Sequence, residues 1–129
     1  MRKVACITFY DDKNRILIQD RSQIGKAKHP YGWFGGGLES GEDLKQGLKR
    51  EVKEELDIDL KNFTPIFQRD YPEVDDKVTL FISKLPKGEL KCFEGKPVLV
   101  SIKEARKLMS NLTHSAIDAV EKWLDKNVI

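Results

Sequence analysis

Residues 44 to 56 read LKQGLKREVKEEL, and Leu44, Leu48, Val52 and Leu56 recur at every fourth position. At about 100° per residue this spacing draws an apolar stripe along one side of a helix, and such a stripe must be buried against an apolar surface. Glu51, Glu54 and Glu55 lie beside it. With Glu51 at zero, Glu54 falls near ~300° and Glu55 near ~40°, so the three carboxylates share an arc of about 100°. Lys45, Lys49 and Lys53 lie beyond the stripe, toward solvent. Like charges one turn apart cost a few tenths of a kcal/mol per pair, roughly, and a positive partner is therefore expected at the acidic face.

The surface that receives the stripe is legible as strands. Val4 to Tyr10 (VACITFY) is β-branched and aromatic, Asp11 to Asn14 supply turn residues, and Arg15 to Gln19 (RILIQ) resume an apolar run, which reads as a hairpin. Phe63 to Tyr71, Lys77 to Leu85 and Val98 to Ile102 read as further strands. Asp20 to Gly32, polar and broken by Pro30 and Gly32, reads as a surface loop carrying Arg21, Lys26, Lys28 and His29. The acidic helix is expected over about 41–56, with Ser40 and Asp43 forming the capping pattern at its start. Two more helical patterns, Lys103 to Met109 and Leu112 to Lys126, carry apolar residues such as Ile117, Val120 and Leu124 that should pack on the sheet.

Size and composition narrow the class of protein. A chain of 129 residues without repeats or a linker reads as one domain, 1–129, of mixed α/β type. The net charge is +2 and no block of five Lys or Arg occurs, so neither a nucleic-acid nor a membrane partner is expected. Two cysteines, Cys6 and Cys92, make no disulfide framework; with no signal peptide, the expected location is the cytoplasm.

Hard divalent cations such as Mg²⁺ take oxygen ligands, commonly one or two carboxylates together with phosphate oxygens of a substrate. Acids at i, i+3 and i+4 of a helix offer half of such a site. Gly35, Gly36 and Gly37 precede the helix and allow backbone groups to approach an ion or a phosphate closely. Gly47, inside the helix and near the acidic face, costs about 1 kcal/mol relative to alanine and could leave room beside the site.

Gly36, five residues, Glu42, seven residues, then Arg50-Glu51-Val52-Lys53-Glu54-Glu55, one residue, Asp57, Ile58 resembles the Nudix box of the Nudix hydrolases. One position departs: Asp57 stands where the family usually has glycine, at a helix end that favours the left-handed conformation, which Asp enters more readily than most residues. The order of elements around the box is similar to that of a small MutT-like Nudix domain across nearly the whole chain. The resemblance implies the Nudix fold, an α/β/α sandwich with a mixed sheet.

It also implies Mg²⁺-dependent hydrolysis, with Mn²⁺ as an alternative ion, of a nucleoside diphosphate linked to another moiety. On the matching positions, Glu51, Glu54 and Glu55 would hold metal together with a backbone carbonyl of Gly35 or Gly36. Glu42 and Arg50 would brace loop and helix, and Arg50 counts with Glu51 and Glu54 among the residues on which catalysis depends. The general base comes either from the box or from a later loop, where Glu94 is the candidate and Glu89 lies behind it. Arg21 and Lys28 are candidates for phosphate. Trp33, Phe34, Tyr71 and Phe81 could wall a nucleobase slot, with Tyr71 expected to be half exposed. Pro72, 14 residues after Ile58, imperfectly matches a family marker for ADP-ribose. The compact form favours a nucleoside triphosphate, possibly damaged or non-standard, as the substrate of a monomer or homodimer. The alternatives are a nucleotide-sugar, ADP-ribose or dinucleoside polyphosphate hydrolase, and a non-catalytic nucleotide sensor.

Overall fold

A computed structural model describes residues 1–25 and 29–127. Its strands are β1 (Arg2–Tyr10), β2 (Ile16–Asp20), β3 (Tyr31–Gly32), β4 (Phe34–Gly37), β5 (Thr64–Tyr71), β6 (Asp76–Lys84) and β7 (Lys96–Val100). Its helices are α1 (Leu44–Leu56), α2 (Ile102–Leu108) and α3 (His114–Asn127), the last entered through a 3₁₀ turn at Asn111–Thr113. The strands form one mixed sheet in the order β3-β2-β1-β6-β5, with β4 paired to β1 and β7 paired to β2. β1 and β6 run parallel in an unbroken register from Arg2 opposite Asp76 to Tyr10 opposite Lys84.

β1 is buried on both faces from Val4 to Phe9, as its unbroken apolar run requires of a central strand. Its alternate residues separate two cores. Ala5, Ile7 and Phe9, with Phe34 and Phe81, receive Leu48, Val52 and Leu56 of α1. Val4 and Cys6, with Ile16, Ile18, Leu80 and Ile82, receive Ile117, Val120 and Leu124 of α3. The result is an α/β/α sandwich. At about 2 kcal/mol for each large aliphatic side chain taken from water, the apolar stripe of α1 is what pins the acidic face against the sheet.

Two local expectations change. The helix begins at Leu44 rather than near 41, and its N-cap is Asp43 rather than Ser40. Asp43 accepts from the Gln46 N–H at 2.8 Å while the Gln46 side chain accepts from the Asp43 N–H at 3.0 Å. Gly41, with φ of 84°, uses a left-handed conformation that no helix residue could share. The triple glycine forms regular structure: Gly37, Gly36 and Gly35 pair with Val4, Ala5 and Cys6 as strand β4. At the other helix end Asp57 does take the left-handed conformation, with φ of 54° and ψ of 38°, and its N–H donates to the Lys53 carbonyl.

Two of the glycines differ in what they tolerate. Gly35 has φ of 126°, and a Cβ there would run into the Ala5 carbonyl and lie 2.8 Å from the Cys6 Cα, all rigid backbone. At Gly47 the space is filled by the mobile end of Leu38 instead, so it is not an opening beside the acidic face. Gly35→Ala is expected to cost about 3 kcal/mol or more of folding stability. Gly47→Ala should cost less than half of that, because helix propensity returns about 1 kcal/mol. Urea unfolding of the two variants checks the order.

Candidate active site

The acidic face of α1 lies against the glycine part of β4, and it can do so because Gly35, Gly36 and Gly37 have no side chains to hold it off. A Cβ on Gly36 would sit 2.7 Å from Glu51 Oε1, so the missing side chain is the seat of that carboxylate. The Gly35 N–H donates to Glu55 Oε1 at 2.8 Å. Strand alternation then sorts the main-chain groups. The Leu38 N–H bonds to Lys3 of β1, so Gly36 also faces β1, whereas Gly35 and Gly37 face the helix. Of the two glycines named as carbonyl donors, only Gly35 therefore points its peptide groups toward the glutamates; Gly36 contributes the space.

Arg50 is the positive partner that the acidic face required. Its Nε and Nη2 donate to the two oxygens of Glu42 at 2.8 and 3.0 Å, its Nη2 also to the Gly37 carbonyl at 3.2 Å, and its Nη1 to Glu51 Oε1 at 3.0 Å. Glu54 is reached at 3.4 Å and Glu39 at 3.6 Å. The paired geometry with Glu42 is the strong form of this contact. Hydrogen bonding to Glu42, then to Glu51, raises the pKa of Arg50 above its ordinary value. Conversely, the Arg50 bonds hold Glu42 below the usual carboxylate range.

Glu55 is the unusual group. It is 4% exposed, one of four buried polar or charged residues found among those described. Burial, with Glu51 and Glu94 adding repulsion, pushes its pKa up to about 7 against the opposing hydrogen bonds from Gly35 and Gln19. Gln19 was not singled out in the sequence, although a glutamine closing the apolar run ILIQ was a signal. Its Nε2 donates to Glu55 Oε2 at 3.3 Å and to the Glu94 carbonyl at 2.8 Å.

Glu94 lies on the loop before β7 and is brought to the same end of the helix. The Phe93 N–H donates to the Glu55 carbonyl at 2.9 Å, and the Glu94 carboxylate pairs with Arg21 Nη2 at 2.9 Å. Both partners of that pair are nearly half exposed. Glu89 instead borders a separate hollow with Asp57 and Lys91. Lys28, like Lys26, lies outside the described residues.

The expectation for Tyr71 is overturned. It is 7% exposed and pairs with Asp76, opposite Arg2, which places it on the α3 side of the sheet, away from the glutamates. Its ring lies beneath Arg69, whose Nη1 donates to Ser115 of α3. Phe34 and Phe81 are core under α1, and Trp33 packs on the opposite core. Tyr71, Phe34 and Phe81 are therefore buried, and Trp33 is half-buried.

Among the described residues, no three acidic, histidine or cysteine side chains already converge as a metal-holding group. The donors nevertheless suit a hard divalent cation: three carboxylates on one helix side, one in a cradle that a Cβ would fill, and one outward-facing glycine peptide.

The sequence matches the NUDIX domain family over residues 1–120. The chain belongs to the NUDIX family. Solved NUDIX structures share its fold at low identity. The MutT NUDIX hydrolase of Burkholderia pseudomallei is 20% identical over 92% of this chain and 97% of its own, with a TM-score of 0.77. An Ap4A hydrolase of C. elegans, solved as a binary complex, is 18% identical over 98% and 99%, with a TM-score of 0.78. The NUDIX domain of Shewanella oneidensis NrtR, solved with ADP ribose, is 10% identical over 96% and 88%, with a TM-score of 0.75. Among proteins with curated descriptions, none matches the sequence significantly. NUDIX hydrolases generally use divalent metals such as Mg²⁺.

The raised pKa of Glu55 has a definite sign. A carboxylate that binds its proton more tightly when folded adds stability at low pH. That stability is lost as pH rises from about 4.5 toward about 7. A cation must displace the same proton. Mn²⁺ affinity, followed by titration between pH 5.5 and 8.5, should rise up to about tenfold per pH unit and level off above about 7. Without metal at pH 8, Glu55→Gln should be more stable than the native protein by about 1–3 kcal/mol.

Proposed function

We propose that this NUDIX chain is a Mg²⁺-dependent pyrophosphohydrolase that converts a nucleoside triphosphate to the monophosphate and pyrophosphate. The observation that carries the reading is the three-glutamate face of α1, with Glu51 and Glu55 seated against the glycines of β4 and Arg50 bracing Glu51. Binding a nucleotide does not by itself call for three mutually repelling carboxylates, which argues against a sensor. Support for the substrate class comes from the likeness of the fold to solved structures named MutT.

In this reading Glu51, Glu54 and Glu55, with the Gly35 carbonyl, hold the metal. When bound, a divalent ion supplies charge neutralisation of the phosphates and acidifies a coordinated water. Arg50 and Glu42 are bracing groups. Arg21 turns from Glu94 to a phosphate oxygen of the substrate. An exposed ion pair is worth only about 0–1 kcal/mol, so the exchange is cheap. Glu94, released, takes the proton of the water that attacks phosphorus. The water oxygen bonds to a phosphorus of the link between the α- and β-phosphates as that P–O bond breaks, and the departing phosphate group leaves with the electron pair, giving monophosphate and pyrophosphate. Lys28 remains a candidate for the phosphates.

The test is separate measurement of pyrophosphate and orthophosphate release from nucleoside triphosphates, ADP-ribose, nucleotide sugars and dinucleoside polyphosphates, with Mg²⁺ and with chelator. Chelator-sensitive pyrophosphate release from triphosphates is expected. Turnover of only the capped diphosphates would move the substrate class to the second group, and binding without turnover would make the chain a sensor. Glu54→Gln, Glu55→Gln and Glu94→Gln should each lower kcat about a hundredfold or more while the fold is retained. Native rates in folded Glu55→Gln would refute the metal assignment.

A further inference from the structure

Gln19 is a polar residue in a place where the sheet has no need of one. It ends the buried run of β2 at 3% exposure, between Ile18 of the α3-side core and Asp20 at the strand end. Its Nε2 faces two acceptors, Glu55 Oε2 on α1 and the main-chain oxygen of Glu94. Both acceptors lack a proton to give when Glu55 is ionised, so the amide must present its NH₂ and not its oxygen to them. One side chain thus joins the last carboxylate of the acidic helix to the loop that carries the later glutamate.

The rest of the loop is fitted to that link. Phe93 donates its N–H to the Glu55 carbonyl at 2.9 Å, and the Cys92 thiol lies 3.3 Å from the same Glu94 oxygen that Gln19 holds. Gly95 has φ of 74°, and a Cβ there would lie 2.5 Å from the Asp20 carbonyl, so the chain turns directly on the end of β2. β7 then pairs back onto β2 with Pro97 opposite Gln19. The side chain of Phe93 points to solvent at 65% exposure, so no apolar packing of that ring anchors the segment. Residues 92–95 are held by these hydrogen bonds to β2 and α1, by Cys92 against the α1-side core and by the exposed Arg21–Glu94 ion pair, and of these only the Gln19 amide touches both Glu55 and the main chain of Glu94.

We propose that Gln19 is a positioning residue that sets the Glu55 carboxylate and the Glu94 loop relative to each other, so that metal and general base are brought into register by a single amide. The inference rests on the metal and base roles proposed above. A buried glutamine that merely satisfies its neighbours would affect stability alone. A positioning glutamine also changes what Glu55 and Glu94 do in the folded protein.

The test uses Gln19→Met, which keeps length and shape without the NH₂, and Gln19→Asn, which keeps the amide but shortens its reach. In folded Gln19→Met, hydrogen exchange at the amides of residues 93 to 95 should accelerate about tenfold or more, and the affinity for Mn²⁺ alone should fall about tenfold. On whichever nucleotide the native protein turns over, kcat should fall about 10- to 100-fold with KM within about threefold, and Gln19→Asn should lie between. In a cycle with Glu94→Gln the two losses in kcat should be less than multiplicative. Native exchange rates together with native Mn²⁺ affinity in either folded variant would overturn the proposal, as would fully multiplicative losses. If the native protein turns over no nucleotide, the functional reading fails by itself, and exchange and Mn²⁺ affinity still decide the role of Gln19.

Discussion

Arg50 resolves an electrostatic conflict on which the rest of the site depends. The apolar stripe of α1 must be buried, and the acidic face beside it is thereby pressed against β4, where charge is poorly screened. A single guanidinium answers by binding Glu42 through two nitrogens, Glu51 through a third contact, and the Gly37 carbonyl of the strand itself. Loop, helix and strand are fastened at one point. Lysine could not replace it, because an ammonium group has neither the planar fork nor the number of fixed donors.

The compensation is uneven along the helix. Glu51 shares Arg50 and rests in the space left by Gly36, while Glu54 is largely exposed to water. Glu55 has neither advantage. It is buried beyond the reach of Arg50, is held by one peptide N–H and one glutamine, and keeps a proton up to about pH 7. A site arranged in this way is under tension that a divalent cation would relieve. That is the physical content of the proposed function: a divalent cation held there would offset the repulsion among these carboxylates.

Much of the architecture was legible because it follows from short-range patterns. The alternation in β1 and the four-residue spacing of α1 each name a face, and the two faces have one good way to pack. The box positions named Glu51, Glu54, Glu55, Arg50 and Glu42, and Asp57 took the left-handed helix end that its substitution for glycine demanded. Tyr71 failed for a reason of topology. Its neighbours in sequence are charged, but cross-strand register opposite Asp76 turns it inward under Arg69, and no local pattern carries that information. Gln19 was missed for the complementary reason: its two partners are 36 and 75 residues away.

The sequence by itself determined which residues are charged, which faces are apolar and which side of the acidic helix must be buried, because these depend on spacing along one segment. Tertiary structure alone decided that the triple glycine is a strand, that Gly35 and not Gly36 turns its peptide groups to the glutamates, and that Glu94 meets Glu55 through Gln19. Those outcomes depend on sheet register and on burial. Both are set only when segments distant in the chain are brought together, and burial is what turns an ordinary glutamate into one that holds its proton near neutral pH.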